Sequence, residues 1–264
     1  MKIYRNSKAR ANDTFRELLS MWEESGYCSL HEGDDSFCWV GDEKKVLLYD
    51  HPRFDFVPEK GFHYSLFANT QLNCPTCKSW IFWARHPRKL EKSIEEGLPD
   101  YNDRKTESIF LGKIENGIQL DNRKTQDWAS CVEKFSMPIA IGDSVSYPYT
   151  QEEYLEEIKN AKFGLCLPGY GPKCNREIEY LGSGTVPIMT PGCGLDYHDE
   201  LKEGEHYILA NTPEEVTSLI ENIQASEWNY LSNNGIDWYN RNCSREGSFN
   251  TTKKILEENA NGLY

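Results

Sequence analysis

The sequence predicts an α/β fold in two domains, and three observations carry that prediction. Apolar strand-like runs alternate with amphipathic helical stretches from about residue 107 onward. Two helix starts are marked by capping boxes, Thr150 with Glu153 and Thr212 with Glu215. A Gly-rich loop stands between a strand and a short helix within 162–189, which reads KFGLCLPGYGPKCNREIEYLGSGTVPIM.

The second half is the more regular. Residues 108–111 form a short apolar strand ending at Gly112. Trp128, Cys131, Val132 and Phe135 fall at i, i+3, i+4 and i+7 and predict a helix. A strand is expected at 138–141 before Gly142-Asp143, and a helix from Thr150 to about residue 161 with Tyr154, Leu155 and Ile158 inward. Strands follow at 163–167, 186–189 and 206–209. Pro213 at the first helical position opens a helix carrying Val216, Leu219, Ile220 and Ile223.

In the first half, Asp13 or Thr14 caps a helix reaching Glu24. Strands are expected at 37–40, 46–49, 64–68 and 80–83, and a helix at 87–96. The polar stretch 99–105 is the linker candidate. The expected organisation is a first domain at 1–104, a second at 105–245, and a C-terminal segment, 246–264, whose helix at about 251–259 crosses back onto the first domain. No internal repeat and no low-complexity segment occurs.

The 264 residues include seven Trp and fifteen Tyr, enough apolar surface for a sizeable core. The net charge is -13, from 29 basic and 42 acidic side chains. A nucleic-acid polymer is therefore not an expected partner, because neutralising many phosphates calls for a basic excess. A small anionic ligand is compatible, since a few local donors hold one pyrophosphate. No run of about 18 apolar residues predicts a membrane span, and residues 1–10 lack an apolar signal core. The nine Cys at irregular spacing read as reduced thiols in a cytoplasmic protein. The sequons at Asn12, Asn242 and Asn250 have meaning only in a secreted chain.

The chemistry concentrates in 162–189. Gly169 and Gly171, with Tyr170 between them, permit close backbone approach to a ligand. Asn175 reads as the N-cap of the next helix, whose free N–H groups and positive dipole end favour an anion. Lys173 and Arg176 add positive charge, and the loop lies at the carboxyl end of a strand, where ligands of open parallel sheets sit. A diphosphate is the expected occupant. Glu179, one turn after Arg176, is placed to accept ribose hydroxyls. Two plainer readings stand beside this one: an i,i+3 surface ion pair between Arg176 and Glu179, and purely structural roles for Gly182 and Gly184.

The whole string resembles the nucleotide-sugar-binding half of exostosin-like glycosyltransferases, in their compact microbial or large-virus form. The family pattern is an apolar strand, a Pro-Gly loop, an Arg, a Glu three residues on, then Gly and a Val-Pro strand. Here those places are held by 163–167, Pro168-Gly169, Arg176, Glu179, Gly184 and Val186-Pro187. The segment 109–112 with Arg123 downstream is similar to that domain's opening strand. The resemblance covers roughly 107–225. It implies the GT-B architecture, two Rossmann-like domains facing a cleft. It also implies phosphate contacts for the loop, Arg176 and Arg123, and ribose contacts for Glu179. A UDP-sugar donor follows by the same resemblance, UDP-xylose or UDP-glucuronic acid among the choices, as does inverting transfer to a hydroxyl of a glycan acceptor.

Such a transfer needs a general base, which in this architecture comes from the first domain. Asp50 and His51 directly follow the strand at 46–49 and are the expected catalytic pair. Asp55 and Asp34-Asp35 are alternatives, and the plain reading of 50–52 is a turn. His63 and His86 read as structural or surface histidines. No Asp-x-Asp triplet occurs, so no metal cofactor is expected; Lys, Arg and backbone donors would stabilise the leaving diphosphate. Cys74 and Cys77 form a Cys-x-x-Cys without a second pair for zinc. Two competing functions are a non-catalytic nucleotide- or sugar-binding module, and a thiol oxidoreductase using Cys74 and Cys77. The tryptophans read mostly as core rather than as a sugar-stacking platform.

Overall fold

A computed structural model describes residues 1–5, 13–33, 38–42, 46–49, 62–69, 76–140 and 147–260. Asp50, His51, Asp55, Asp34, Asp35, Cys74 and Gly142-Asp143 lie outside the described residues.

Two sheets organise the chain. The first contains β1 (Lys2–Arg5), β2 (Ser29–Glu32), β3 (Cys38–Val40), β4 (Val46–Tyr49), β5 (Tyr64–Phe67) and β6 (Cys77–Ser79), in the order β2-β1-β3-β4-β5-β6. Helices α1 (Asp13–Glu24) and α2 (Pro87–Glu95) accompany it. Strands β1 and β2, which the polar sequence there does not suggest, pair in parallel. β3 runs antiparallel to both β1 and β4, so this sheet is mixed. The short connection through Gly41 (φ +87°) cannot carry the long crossover that parallel neighbours require.

The second sheet is parallel throughout. It contains β7 (Thr106–Leu111), β8 (Lys134–Ser136), β9 (Ala161–Cys166), β10 (Val186–Met189) and β11 (Ile208–Leu209), in the order β11-β10-β9-β7-β8. Its helices are α3 (Gly117–Arg123), α4 (Gln151–Lys159), α5 (Asn175–Gly182) and α6 (Pro213–Asn222). The Thr150–Glu153 capping box is formed in full, and Thr212 accepts the Glu215 N–H at 3.3 Å. Two long helices close the chain, α7 (Ala225–Asn242) and α8 (Arg245–Ala260).

Three expected elements differ, those at 128–135, 80–83 and 138–141, the last being only an isolated bridge from Ile139 to Ile114 among the described residues. The helix expected at 128–135 is a 3-10 turn at Trp128–Cys131 followed by β8. Its apolar residues pack inward by a different route: Phe135 stacks on Phe110 at 5.1 Å while Trp128 and Cys131 close the core. The crossover helix is α3 instead, capped by the Asn116 side chain on the Gln119 N–H at 2.9 Å. The strand expected at 80–83 is an irregular buried segment. Its carbonyls serve the second half: Trp80 accepts from the His198 N–H and Trp83 from the Asn175 side chain.

The linker stretch is firmly anchored. Arg104, 5 % exposed, donates to the carbonyls of Lys159, Ala161 and Ser183 and to the Thr185 hydroxyl. Helix α8 lies against the first sheet's layer. The Trp22 indole donates to Ser248 Oγ at 2.9 Å and the Trp80 indole to Thr252 Oγ1 at 2.8 Å. One apolar core runs from Ile3, Trp22 and Leu66 through Trp80 and Trp83 to Ile178, Leu181 and Trp238. The two halves are therefore joined by packing as well as by chain. Among the described residues no helix is long and apolar enough to cross a membrane.

Candidate functional site

In the second sheet, chain order reverses direction at β7, which has β8 on one side and β9 on the other. A crevice opens at such a point outside the carboxyl ends of the strands. Gly112, just past β7, and the Pro168-Gly169 loop, just past β9, form its two lips. The crevice is a cavity of about 570 Å³ whose other wall comes from the first half through Asn69, Phe82, Arg85 and His86. That volume falls within the range of small-molecule sites, roughly 300–1,000 Å³.

All eight residues nominated for the donor line this cavity: Arg123, Gly169, Tyr170, Gly171, Lys173, Asn175, Arg176 and Glu179. Their roles within it differ.

Arg123 and Arg176 form its electrostatic centre. Arg123 ends α3 and is 4 % exposed; Arg176 stands in the first turn of α5 and is 7 % exposed. Both guanidinium groups lie over the Phe110 ring, at 5.8 and 4.4 Å from its centroid. Arg123 spends two nitrogens on carbonyls of the two lips, Nε on Pro168 at 3.1 Å and Nη1 on Lys113 at 2.6 Å. Arg176 makes one long contact, Nη1 to the Leu167 carbonyl at 3.5 Å, and its buried Nε has no partner. Among the described residues neither has a carboxylate within 4 Å, so the surface ion pair between Arg176 and Glu179 does not form. Burial and the neighbouring Arg176 charge hold the Arg123 pKa below its usual value. Two adjacent buried cations without a carboxylate partner are chemically suited to a compact anion.

Two glycines let them approach. A Cβ on Gly112 would stand 2.8 Å from Phe110 Cζ and 3.1 Å from Arg176 Nη2. A Cβ on Gly169 would stand 2.6 Å from Cys174 Sγ and 3.3 Å from Arg123 Nη2. The loop itself is tied down, with the Gly169 carbonyl accepting from Asn122 Nδ2 at 2.8 Å.

The start of α5 differs from expectation. The N-cap is Cys174, and Asn175 is the first helical residue. Asn175 donates to the Trp83 carbonyl at 2.8 Å and so fastens the helix to the first half. The Cys174 N–H is taken by the Glu177 carboxylate at 2.7 Å, the return arm of a capping box. That donor is thus committed internally, and the spare donors of the cavity are guanidinium rather than this backbone group. Burial pushes the Glu177 carboxyl up to about 7.

Lys173 is directed elsewhere. Its ammonium donates to the Asp196 carbonyl at 2.9 Å, lies 3.4 Å from that residue's carboxylate, and sits 4.3 Å from the Tyr197 ring centre. Burial lowers its pKa to about 8. It fastens the Gly-rich loop to the strand-end segment after β10. Glu179, 2 % exposed, accepts the Arg85 N–H at 2.9 Å and the Tyr154 hydroxyl at 2.7 Å. One lone pair on each oxygen remains, so it joins the two halves at the floor of the cavity and keeps acceptor capacity for hydroxyls.

Residues passed over in the sequence also line the cavity. Tyr147 and Tyr149, with rings 5.6 Å apart, form an aromatic side wall, and burial raises the Tyr147 pKa to about 12. Arg85 lines it from the first half, and so does His86, which the sequence marks as a structural or surface histidine. Their signal was their place in the chain, because Arg85-His86 directly precedes Pro87, the opening of a helix. Among the described residues no three His, Cys, Asp or Glu gather as a metal site.

Solved structures share the outline. The C-terminal domain of a glycosyl transferase group 1 family protein (LpcC) from Francisella tularensis is 10 % identical, with a TM-score of 0.37, over 58 % of this chain and 92 % of that one. Anabaena Alr3699/HepE in complex with UDP and glucose is 8 % identical, with a TM-score of 0.46, over 80 % of this chain and 71 % of that one. An alpha1,3-fucosyltransferase is 12 % identical, with a TM-score of 0.45, over 97 % of this chain and 90 % of that one. No family model and no curated protein sequence matches the chain.

Proposed function

We propose that this chain is a glycosyltransferase of GT-B architecture, exostosin-like in its donor motif, which binds a nucleotide sugar in the crevice between its halves. The observation that carries the reading is the pair of buried guanidinium groups, Arg123 and Arg176, with no carboxylate partner among the described residues, lining a cavity at the switch point. A diphosphate has the charge and oxygens to satisfy both. Glu179 lies one helical turn from Arg176, at a separation suited to a ribose. The donor is a UDP-sugar, UDP-xylose among the choices, by the motif resemblance.

Transfer follows from that placement. The two arginines stabilise the charge that develops on the departing diphosphate. The first half, approximately 1–104 with the helix of 246–264 against it, presents the acceptor, a hydroxyl of a glycan. The second half, 105–245, holds the donor. A base on the acceptor side opposite the diphosphate gives inversion, and the leaving charge is met by guanidinium without a metal.

A thermal-shift screen against UDP, GDP and CDP and their sugar conjugates, with and without EDTA, tests the reading. The expected result is a rise in Tm with uridine nucleotides that EDTA leaves unchanged and that Arg176→Met removes. No shift with any nucleotide in a folded sample would refute it.

A further inference from the structure

Among the residues that line the cavity is an imidazole, contributed by the first half. His86 closes the segment that crosses from the first half and stands immediately before α2. Its backbone is pinned on both sides. The preceding N–H, that of Arg85, is bonded to Glu179 at 2.9 Å, and its own carbonyl accepts the first helical bond from Leu90 at 3.1 Å. Its Nδ1 lies 3.5 Å from Glu17 Oε2 on α1, while Glu17 Oε1 accepts the Arg88 N–H at 3.1 Å. Glu17 is thus fixed to the same helix turn that it uses to orient the ring. With Nδ1 turned to a carboxylate, Nε2 is the ring nitrogen that remains to act on a ligand in the cavity His86 lines.

We propose that His86, oriented by Glu17, is the general base that deprotonates the acceptor hydroxyl, a role that rests on the glycosyltransferase reading above. The neutral imidazole takes the proton at Nε2 as the acceptor oxygen forms its bond to the anomeric carbon. The bond from that carbon to the diphosphate oxygen breaks on the opposite face, and the departing oxygen keeps the electron pair beside Arg123 and Arg176. The proton then passes from the imidazolium to water. Glu17 stabilises the imidazolium but exchanges no proton.

Elimination among the described lining residues favours the same side chain. Glu179 is bonded to Arg85 and Tyr154, and Glu115 is paired with Lys113 at 2.6 Å on the arginine side of the crevice. Other charges around His86 are largely matched among themselves. Lys89 pairs with Glu152 of α4 at 2.8 Å and Arg88 with Glu24 of α1 at 2.6 Å, while Arg85 is exposed at the cavity rim. A base drawn from one half and leaving-group cations drawn from the other is the disposition that inversion requires.

The test compares wild type, His86→Gln and Glu17→Gln for UDP affinity and for UDP release from the UDP-sugar that stabilises wild type most. The expected result is unchanged UDP affinity, with turnover at least about 100-fold lower in His86→Gln and partly lower in Glu17→Gln. The acid limb of the wild-type rate profile should vanish in His86→Gln, which a purely structural role would not produce. His86→Gln turning over within threefold of wild type, or keeping the acid limb, would overturn the base assignment and leave donor binding intact. A wild-type chain that binds no nucleotide sugar would overturn the reading beneath it, and the proposal with it.

Discussion

Replacing Arg176 with Met should leave the fold at least as stable while weakening nucleotide binding. The guanidinium is 7 % exposed, has one 3.5 Å contact to the Leu167 carbonyl, and carries an unpartnered Nε. A contact at that distance is at the limit of a hydrogen bond. Its main favourable term is the Phe110 face at 4.4 Å, worth about 2 kcal/mol for a desolvated pair. A thioether on the same ring returns roughly 0.3–1.5 kcal/mol of that and fills a similar volume. Against the remainder stands the cost of burying an unpaired cation, several kcal/mol even after relaxation. The net expectation is a variant between equal to wild type and about 2 kcal/mol more stable, read from urea midpoints without ligand. UDP should lose about 1.5–3 kcal/mol, the worth of a charged hydrogen bond, which is roughly a 10- to 150-fold rise in Kd by calorimetry. The pairing of gained stability with lost affinity marks a group held for a ligand. A variant destabilised by more than about 2 kcal/mol, with UDP affinity unchanged, would mean that the guanidinium serves the fold and that the anion site lies elsewhere.

Gly112→Ala should act on the same group indirectly, since its Cβ meets Phe110 and Arg176 Nη2; overpacking of roughly 1–3 kcal/mol and weaker UDP binding are expected from melting and calorimetry. Glu179→Ala removes the acceptor of the Arg85 N–H and the Tyr154 hydroxyl together, so it should lower both stability and UDP affinity, where UMP and UDP should weaken alike if the ribose is the contact. Glu177 supplies a pH signature. Its carboxyl is raised by burial to about 7, so between about 4.5 and 7 the folded state holds a proton that the unfolded state has lost, and this residue's contribution to stability falls as pH rises through that window. Urea midpoints of wild type and Glu177→Gln at pH 5.5 and pH 8 should therefore converge at the lower pH and separate at the higher, with the Gln variant the more stable there.

The donor half was legible because its chemistry and its fold share one stretch of chain. Phe163, Leu165, Gly169, Arg176 and Val186 fix strand, loop, helix and strand in local order, and capping at Thr150 and Thr212 marks neighbouring helix starts. What failed there failed by competition. At 128–135 a helical stripe lost to an edge strand, because Phe135 finds Phe110 across the sheet. At 225–242, where no element was expected, α7 runs through Asn233-Asn234-Gly235, and Gly235 packs its bare backbone against Leu181. Lys173 has the right charge at the right place in the loop, and only the fold turns its ammonium to Asp196.

The acceptor wall was illegible for a more general reason. His86 acquires its setting from Glu17, sixty-nine positions earlier (86 − 17), and its neighbour Arg85 from Glu179, ninety-four positions later. Neither spacing is a pattern that a linear reading weighs. A buried arginine advertises a ligand through what it lacks, whereas an orienting carboxylate advertises a base through what it holds, and both facts exist only once the chain is folded. Glu179 belongs to both descriptions. Its position in α5 after Arg176 places it with the donor, and its bond to the Arg85 N–H sets the backbone that carries His86. A nucleotide sugar that drew Glu179 onto its ribose would therefore tighten or release the segment bearing the imidazole, coupling occupancy of the donor site to the position of the acceptor's base.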